Sequence, residues 1–575
     1  MLRLFKLLKP YRLPIALVLV LIFIQTLSEL YLPTLMADIV DVGIVHGDTS
    51  YILKIGGYML LVAAFGVVCS IAAGFLSSKV SVGFGRRLRG KIFAHVERFS
   101  LQEFDKIGTA SLITRTTNDI NQVQQVLTMM LRMMIMAPMM CIGGIIMAVS
   151  KDAQLSLVLV FVIPILVTAI VTIAVKGMPL FKAMQVKLDK LNLVLREGLT
   201  GIRVIRSFNR IDHETRRFDE ANLDLTQTAV KINRLMASLM PIMMLVLNFS
   251  TIAILWFGGL RIGNGDMQVG ALMAFIQYAM QIMFSLLMVS MMFVMIPRAS
   301  ASAARINEVL EMTPEIKDPE QPKTSRGRQG YIEFRDVTFS YPGAEKPALS
   351  NISFHANPGE VTAIIGGTGS GKSTLINLIP RFYDVDSGQI LVDGVDVREM
   401  SQESLREKIG LVPQKALLFT GTITDNIRYG RETATDEEIR HAARIAQAEE
   451  FITGMKDGFD SVIAQGGANV SGGQKQRLSI ARALVRKPEI YAFDDSFSAL
   501  DFRTDAKLRA ALKEETTNST VLLVAQRVST VMDADRIIVL DEGEIAGIGT
   551  HRELMDTCKV YREIVSSQLS EEEIA

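Results

Sequence analysis

The chain changes character near Pro297. Before it lie six apolar runs, at residues 14–36, 52–77, 129–150, 155–175, 236–259 and 271–296. Each meets the ~20 residues that a helix needs to cross a bilayer. After Pro297 the long runs stop. A polar stretch at 311–330 carries Pro314, Pro319 and Pro322, and residues 331–340 (YIEFRDVTFS) then alternate as a half-buried strand does. Two short apolar runs, 361–365 and 490–494, read as buried strands. The first leads into a Gly-rich turn and a helical pattern, and the second ends in an acid. The pattern predicts an all-α membrane domain of six transmembrane helices at 1–310, a linker at 311–330 and an α/β domain at 331–575.

Charge orients the membrane part. Arg3, Lys6, Lys9 and Arg12 precede the first run, and the connection after it holds Asp38, Asp41, His46 and Asp48 against Lys54. The next connection is long and basic (Arg86, Arg87, Arg89, Lys91), the Lys151-Asp152 turn is tiny, 176–234 is again long and basic, and 261–268 is short. Positive charge collects on the cytoplasmic side, so both termini and the α/β domain are expected there, on a multi-pass protein of the cytoplasmic membrane. Six spans with consistent alternation exclude a soluble apolar core. A cleavable signal needs a shorter apolar core and a small-residue cleavage site, so the start reads as an anchor. The two long inner loops read as helices running on into the cytoplasm, with docking tips at 109–119 and 201–214. The net charge of +1 offers no field for nucleic acid. Cys69, Cys141 and Cys558 are too far apart in sequence to suggest a disulfide framework or a metal site.

Inside the spans, Met129, Met130, Met133, Met134, Met136, Met139 and Met140 crowd the third, and Met283, Met288, Met291, Met292 and Met295 the sixth. Flexible thioethers suit a surface that accepts many shapes, and equally suit lipid-facing or packing positions. Glu29, Arg132, Asn248, Gln277 and Gln281 are costly in hydrocarbon and are expected to face other helices or a water-filled cavity. Asp38 and Asp41 read either as an outer gate or as solvated loop acids.

The strongest chemical signal is Gly366-Gly367-Thr368-Gly369-Ser370-Gly371-Lys372-Ser373-Thr374. Strand, Gly-rich loop and helix stand in the order that a phosphate loop requires. The glycines let backbone N–H groups turn inward onto phosphate oxygens, and the helix N-terminus adds positive charge. Lys372 is then set to reach the β- and γ-phosphates of ATP, and the Ser373 hydroxyl to ligate Mg²⁺. Asp494, at its strand's end, is placed to stand beside the same ion. Ser471-Gly472-Gly473-Gln474 precedes another helical stretch and makes a second phosphate-binding end. One nucleotide cannot easily use both ends of one chain, which implies a dimer. Tyr341 stands ahead of the loop, where its ring can stack on a flat base.

Together, Tyr341, the phosphate loop, Gln414 in Val412-Pro413-Gln414, the Ser-Gly-Gly-Gln signature, Asp494 and Ser498-Ala499-Leu500-Asp501 resemble an ABC transporter nucleotide-binding domain. With six preceding spans the chain looks like an ABC exporter half-transporter. The resemblance implies ATP held between the phosphate loop of one domain and the signature and Asp501 region of another. It also implies Mg²⁺ near Ser373, Gln414 and Asp494, and inner-loop tips that act as coupling helices, the second docking on the opposite chain. Two positions depart from the family. Asp495 stands where Glu is usual as general base, and Gln526 where His is usual in the switch. Asp is one methylene shorter, and a misplacement of ~1 Å can cost on the order of 10²-fold. Gln cannot carry imidazolium charge. Val470 and Gln465 depart as well, and the latter has no assigned consequence.

The chain therefore resembles the degenerate-site subunit of a bacterial heterodimeric multidrug exporter. Its expected partners are a second half-transporter with a competent site, the lipid bilayer and small amphipathic substrates. A homodimeric lipid or drug flippase, with Asp495 as a slow base, is the alternative. A membrane regulator that binds ATP without transporting is a third reading, disfavoured by the intact signature.

Overall fold

The computed structural model of the chain describes residues 3–325 and 329–569, and only the backbone at 291–294. The side chains of Met291 and Met292, and residues 326–328 of the expected linker, lie outside the described part. Two compact units result: Met1–Glu97 with Thr109–Met312, and Arg98–Gly108 with Thr313–Ala575.

The membrane unit has six helical stretches long and apolar enough to cross a membrane, from Leu4–Ile44 to Val269–Glu311. They run 41 to 53 residues. At 1.5 Å per residue that is about 60 to 80 Å, twice the hydrocarbon thickness, so each continues well past the bilayer. Each of the six apolar runs falls on one of these stretches. The helices close around Leu30, Met140, Ile254, Phe275, Tyr278 and Ile282. Two consecutive glycines permit that approach. A Cβ on Gly143 would stand 2.3 Å from the Leu30 side chain, and one on Gly144 would stand 2.8 Å from Ile282. Such small residues let helices pack where hydrophobicity itself offers no drive. The methionines divide between environments: Met140 and Met283 are core, whereas Met133 and Met134 are exposed. Asp41 takes a role outside both expected ones. Its carboxylate accepts from Gly270 N (2.6 Å) and Ala271 N (3.1 Å). It thereby caps the Val269–Glu311 helix, whose first N–H groups have no partner within the helix.

The first expected docking tip is displaced. Short helices form both at Leu101–Ile107 and within the expected stretch at Thr109–Thr116, but it is the earlier one that belongs to the second unit. Ser100 and Glu103 form a capping box at its start, and Gly108, at φ 79°, stops it. Glu103 also accepts from Glu315 N at 3.0 Å, and Asp105 from the Tyr383 hydroxyl at 3.2 Å. Thr109–Thr116 is a separate helix of the membrane unit, where Arg115 reaches Glu308 at 2.7 Å. The mixed apolar and charged residues there serve that packing. The second tip contains a six-residue helix, Ile202–Ser207, with no buried residue.

The second unit is α/β. Its strands are β1 (Ile332–Phe339), β2 (Leu349–Ala356), β3 (Val361–Gly366), β4 (Ser387–Val392), β5 (Val395–Asp396), β6 (Ile409–Val412), β7 (Gly421–Thr422), β8 (Val462–Ile463), β9 (Ile490–Asp494), β10 (Thr520–Val524), β11 (Arg536–Asp541) and β12 (Glu544–Gly549). One sheet has the order β2-β1-β4-β5 and is antiparallel. The main sheet runs β12-β11-β3-β10-β9-β6, parallel except at β12. Strands β3, β9 and β10 are buried almost throughout, as continuous apolar runs in a parallel sheet are.

Candidate nucleotide site

Ligands of parallel α/β sheets bind beyond the carboxyl ends of the strands. Here β6, β9, β10 and β3 are neighbours, and each delivers one functional piece at that edge. Gln414 follows β6, Asp494 and Asp495 end and follow β9, Gln526 follows β10, and the Gly-rich loop follows β3. Tyr341, Thr368, Gly369, Gly371, Lys372, Ser373, Thr374, Gln414, Asp495 and Gln526 line one cavity of about 370 Å³.

The loop's shape depends on its glycines. Gly369 and Gly371 have φ of 85° and 97°, the left-handed region that side chains disfavour. A Cβ on Gly371 would also lie 2.6 Å from Leu349. Lys372 begins the following helix, and its buried ammonium donates to Gly366 O (3.0 Å) and Gly367 O (2.7 Å). Burial lowers the Lys372 pKa, and the charges of Asp495 and Asp494 oppose that shift. Ser373 Oγ donates to Asp494 Oδ1 at 2.8 Å. Hydroxyl, carboxylate and the Gln414 amide oxygen are hard oxygen donors of the kind Mg²⁺ takes, so these residues fit the ion. Tyr341 is held edge-on between Phe339 and Tyr383, with its hydroxyl 3.1 Å from Thr374 Oγ1.

The two unusual positions meet each other. Gln526 Nε2 donates to Asp495 Oδ2 at 2.9 Å, and Gln414 Nε2 approaches the same oxygen at 3.4 Å. Asp495 sits at φ 46° while its N–H bonds Val524 O at 3.0 Å. Burial raises the Asp495 carboxyl's pKa against the pull of Gln414, Ser498, Lys372 and Arg527. Burial also raises that of Asp494, helped by the charge on Asp495 and opposed by Ser373 and Lys372.

The signature is not in this cavity. Ser471 caps the Gly472–Arg486 helix through a capping box with Gln474, and Ser471 and Gly472 are solvent-exposed. Gly473 packs close to Ala499 O, which a Cβ would approach to 3.1 Å. Asp501 likewise faces outward and caps Phe502–Glu515 by accepting from Thr504 N at 2.9 Å. Gln465 lies in a short turn, Gln465–Gly467, and Val470 packs on the neighbouring core. Sequence reasoning missed Gln568. Its amide nitrogen donates to Gln526 O at 2.8 Å, and its oxygen accepts from Val528 N at 2.9 Å, so it grips the backbone on both sides of the switch. No motif marks a contact made over that sequence distance.

Comparison with known proteins agrees with this geometry. The family model of the ABC transporter transmembrane region matches residues 15–286, and the ABC transporter model matches 349–498. An uncharacterized ABC transporter ATP-binding protein of Mycobacterium tuberculosis is 45% identical over 564 residues, 97% of each chain. An ATP-dependent lipid A-core flippase of Syntrophus aciditrophicus is 32% identical over 88% of this chain and 84% of its own. Among solved structures, a bacterial Atm1-family ABC exporter with ATP bound superposes with a TM-score of 0.81 at 26% identity, covering 97% of this chain and 99% of that one. A multi-pass membrane unit joined to an ATP-binding ATPase unit, with matches to both along nearly the whole length, places this chain in the ABC transporter family as an exporter half-transporter.

Proposed function

We propose that the chain is one half of a heterodimeric exporter of amphipathic, lipid-like or drug-like compounds, and that its own phosphate-loop site binds ATP but hydrolyses it slowly. The observation that carries this is the contact between Gln526 and Asp495. The residue at the general-base position is one methylene short, and its Oδ2 already accepts from the switch residue and faces Gln414. An oxygen so engaged is poorly free to take a proton from an attacking water, and positioning of that proton transfer governs the rate. Everything needed for binding is present: Lys372 and the loop amides for the phosphates, Tyr341 for the base. Mg²⁺ neutralises charge on the β- and γ-phosphate oxygens when it is bound; Ser373, Asp494 and Gln414 are the residues that would hold it.

The intact signature, exposed on this chain, completes the partner's nucleotide site, which hydrolyses. ATP closes the two nucleotide units, the spans turn from inward- to outward-facing, and hydrolysis at the partner's site resets them. The basic inner loops set both termini in the cytoplasm, and the protein in the cytoplasmic membrane. The lipid-like cargo is supported by the similarity to lipid A-core flippases and to a fatty acid ABC transporter of Mycobacterium tuberculosis, 34% identical over 83% of this chain. The test is Mg²⁺-ATPase of the pure chain in lipid, alone and with candidate partner half-transporters. Nucleotide binding without turnover, with turnover restored by a partner, is expected. Robust turnover alone would instead establish the second reading, a flippase made of two copies of this chain, which the flippase similarity favours.

A further inference from the structure

The switch is held by a residue 42 positions further along the chain. Gln526 and Arg527 follow β10 and lead into a four-residue helix, Val528–Val531. The first N–H groups of a helix have no partner within it, and Arg527, at the cap position here, offers no side-chain acceptor. Gln568 supplies one. Its Oε1 accepts from Val528 N at 2.9 Å, and its Nε2 donates to Gln526 O at 2.8 Å. An N–H only donates and a carbonyl only accepts, so these partners fix which way round the amide lies. Gln568 itself is exposed, and its place is set by its neighbours. It follows the Lys559–Ser566 helix, whose Tyr561 and Val565 share a buried core with Ala525, Val528 and Val531, and Leu569 packs on that core directly after it. The Tyr561 hydroxyl is tied in turn to His551 Nδ1 at 2.8 Å.

This grip bears on the Gln526 side chain. Its amide donates to Asp495 Oδ2 at 2.9 Å, in the cavity that Lys372 also lines. The charge of Asp495 acts on Lys372, the residue set to reach the β- and γ-phosphates, so Gln526 stands at the terminal-phosphate end of the cavity. We infer that Gln568 is a positioning residue for the nucleotide site: by pinning the backbone on both sides of Arg527, it holds the Gln526 amide ready for the terminal phosphate of ATP. A donor fixed beforehand loses less freedom on binding than one carried on a loose turn. Gln568 is not among the residues that line the cavity and acts through Gln526. ADP ends one phosphate short and gains nothing from the arrangement. The inference rests on the reading of this cavity as the nucleotide site, and depends neither on a second half-transporter nor on slow hydrolysis.

The test uses the full chain in phosphatidylcholine nanodiscs with Mg²⁺. Equilibrium binding is measured for ADP and for the β,γ-imido analogue of ATP, which is not hydrolysed. Gln568→Leu keeps the bulk of the side chain and loses both bonds. It should weaken the analogue about fivefold, in the range of one or two exposed hydrogen bonds, and leave ADP unchanged. Gln568→Ala removes the same bonds at an exposed position, and decides the matter if Gln568→Leu does not fold. In a Gln526→Ala background, Gln568→Leu should change neither ligand further, because a residue that acts through another falls silent once the other is gone. Equal weakening of the analogue and ADP would mark Gln568 as merely structural. Undisturbed binding of the analogue, or a full additional loss on top of Gln526→Ala, would also overturn the inference. Lys372→Ala separates this from failure of the nucleotide-site reading. If the cavity does not hold nucleotide, Lys372→Ala binds both ligands as the wild type does. If only the role of Gln568 fails, Lys372→Ala still loses both, while Gln568→Leu does not tell them apart.

Discussion

The phosphate loop and the signature are two versions of one device, a helix N-terminus with glycines that let backbone donors approach a phosphate. In this chain they have opposite settings. The loop is walled into a cavity with Tyr341, Gln414, Asp495 and Gln526, where the unusual side chains bond one another. The signature stands on the surface, and its Ser471 and Gln474 satisfy each other in a capping box. An enclosed end can be weakened by changing what surrounds it. An exposed end acts only through whatever comes to it, so its own sequence can stay intact when the residues around the enclosed end change.

The comparison is broken most strongly at Lys372. Lys372→Ala should weaken ATP binding by about a hundredfold or more, because a charge-assisted contact in a buried site is lost. Equilibrium binding to the chain alone reads this. If binding persists, the walled end is not where nucleotide sits. Next in size, the double change Asp495→Glu with Gln526→His should raise turnover of the chain's own site on the order of tenfold to a hundredfold, more than either single change, as the base is restored to reach. Single-turnover hydrolysis in the assembled dimer is the measurement. A flat result would mean that Asp495 and Gln526 do not limit turnover at this site.

The exposed end gives a change of a different kind. Gly473→Ala brings a Cβ to 3.1 Å from Ala499 O. On the proposed dimer arrangement, it should lower ATPase severalfold while ATP binding to the isolated chain stays unchanged. Equal loss in both assays would erase the distinction between the two ends. The smallest effect concerns protons. Burial raises the folded pKa of Asp494 and of Asp495 above the ordinary carboxylate value. A raised folded value means that the protonated form favours folding, so that contribution is full below the unfolded pKa and lost as pH rises through the folded one. Without nucleotide or Mg²⁺, Asp495→Asn should therefore raise the unfolding temperature by a few degrees or less at neutral pH. The gain should fade toward acid pH, as calorimetry across that range would show.

The nucleotide unit was legible because its motifs are local. Gly366 to Thr374 is one continuous stretch, and the strand before it and the helix after it are dictated by neighbours in sequence. The six spans were legible for a similar reason, since a run of apolar residues declares itself without reference to any other segment. The first docking element was not. The stretch 109–119 has the mixed composition expected of a tip, yet its Arg115 serves packing against Glu308. The short helix that joins the second unit lies earlier, marked only by Ser100, Glu103 and Gly108.

Sequence by itself determined the membrane and α/β parts, the phosphate loop and the identity of the two altered residues, because each is written in contiguous residues or single positions. Tertiary structure alone decided that Asp495 and Gln526 bond each other, that Gln568 holds the switch, that Asp41 caps a helix some 230 residues away in sequence, and that Glu29 meets Gln281. Those pairings depend on which strand edges and helix faces come together. Distant hydrogen-bond partners are set by packing of whole elements, and no local pattern records them.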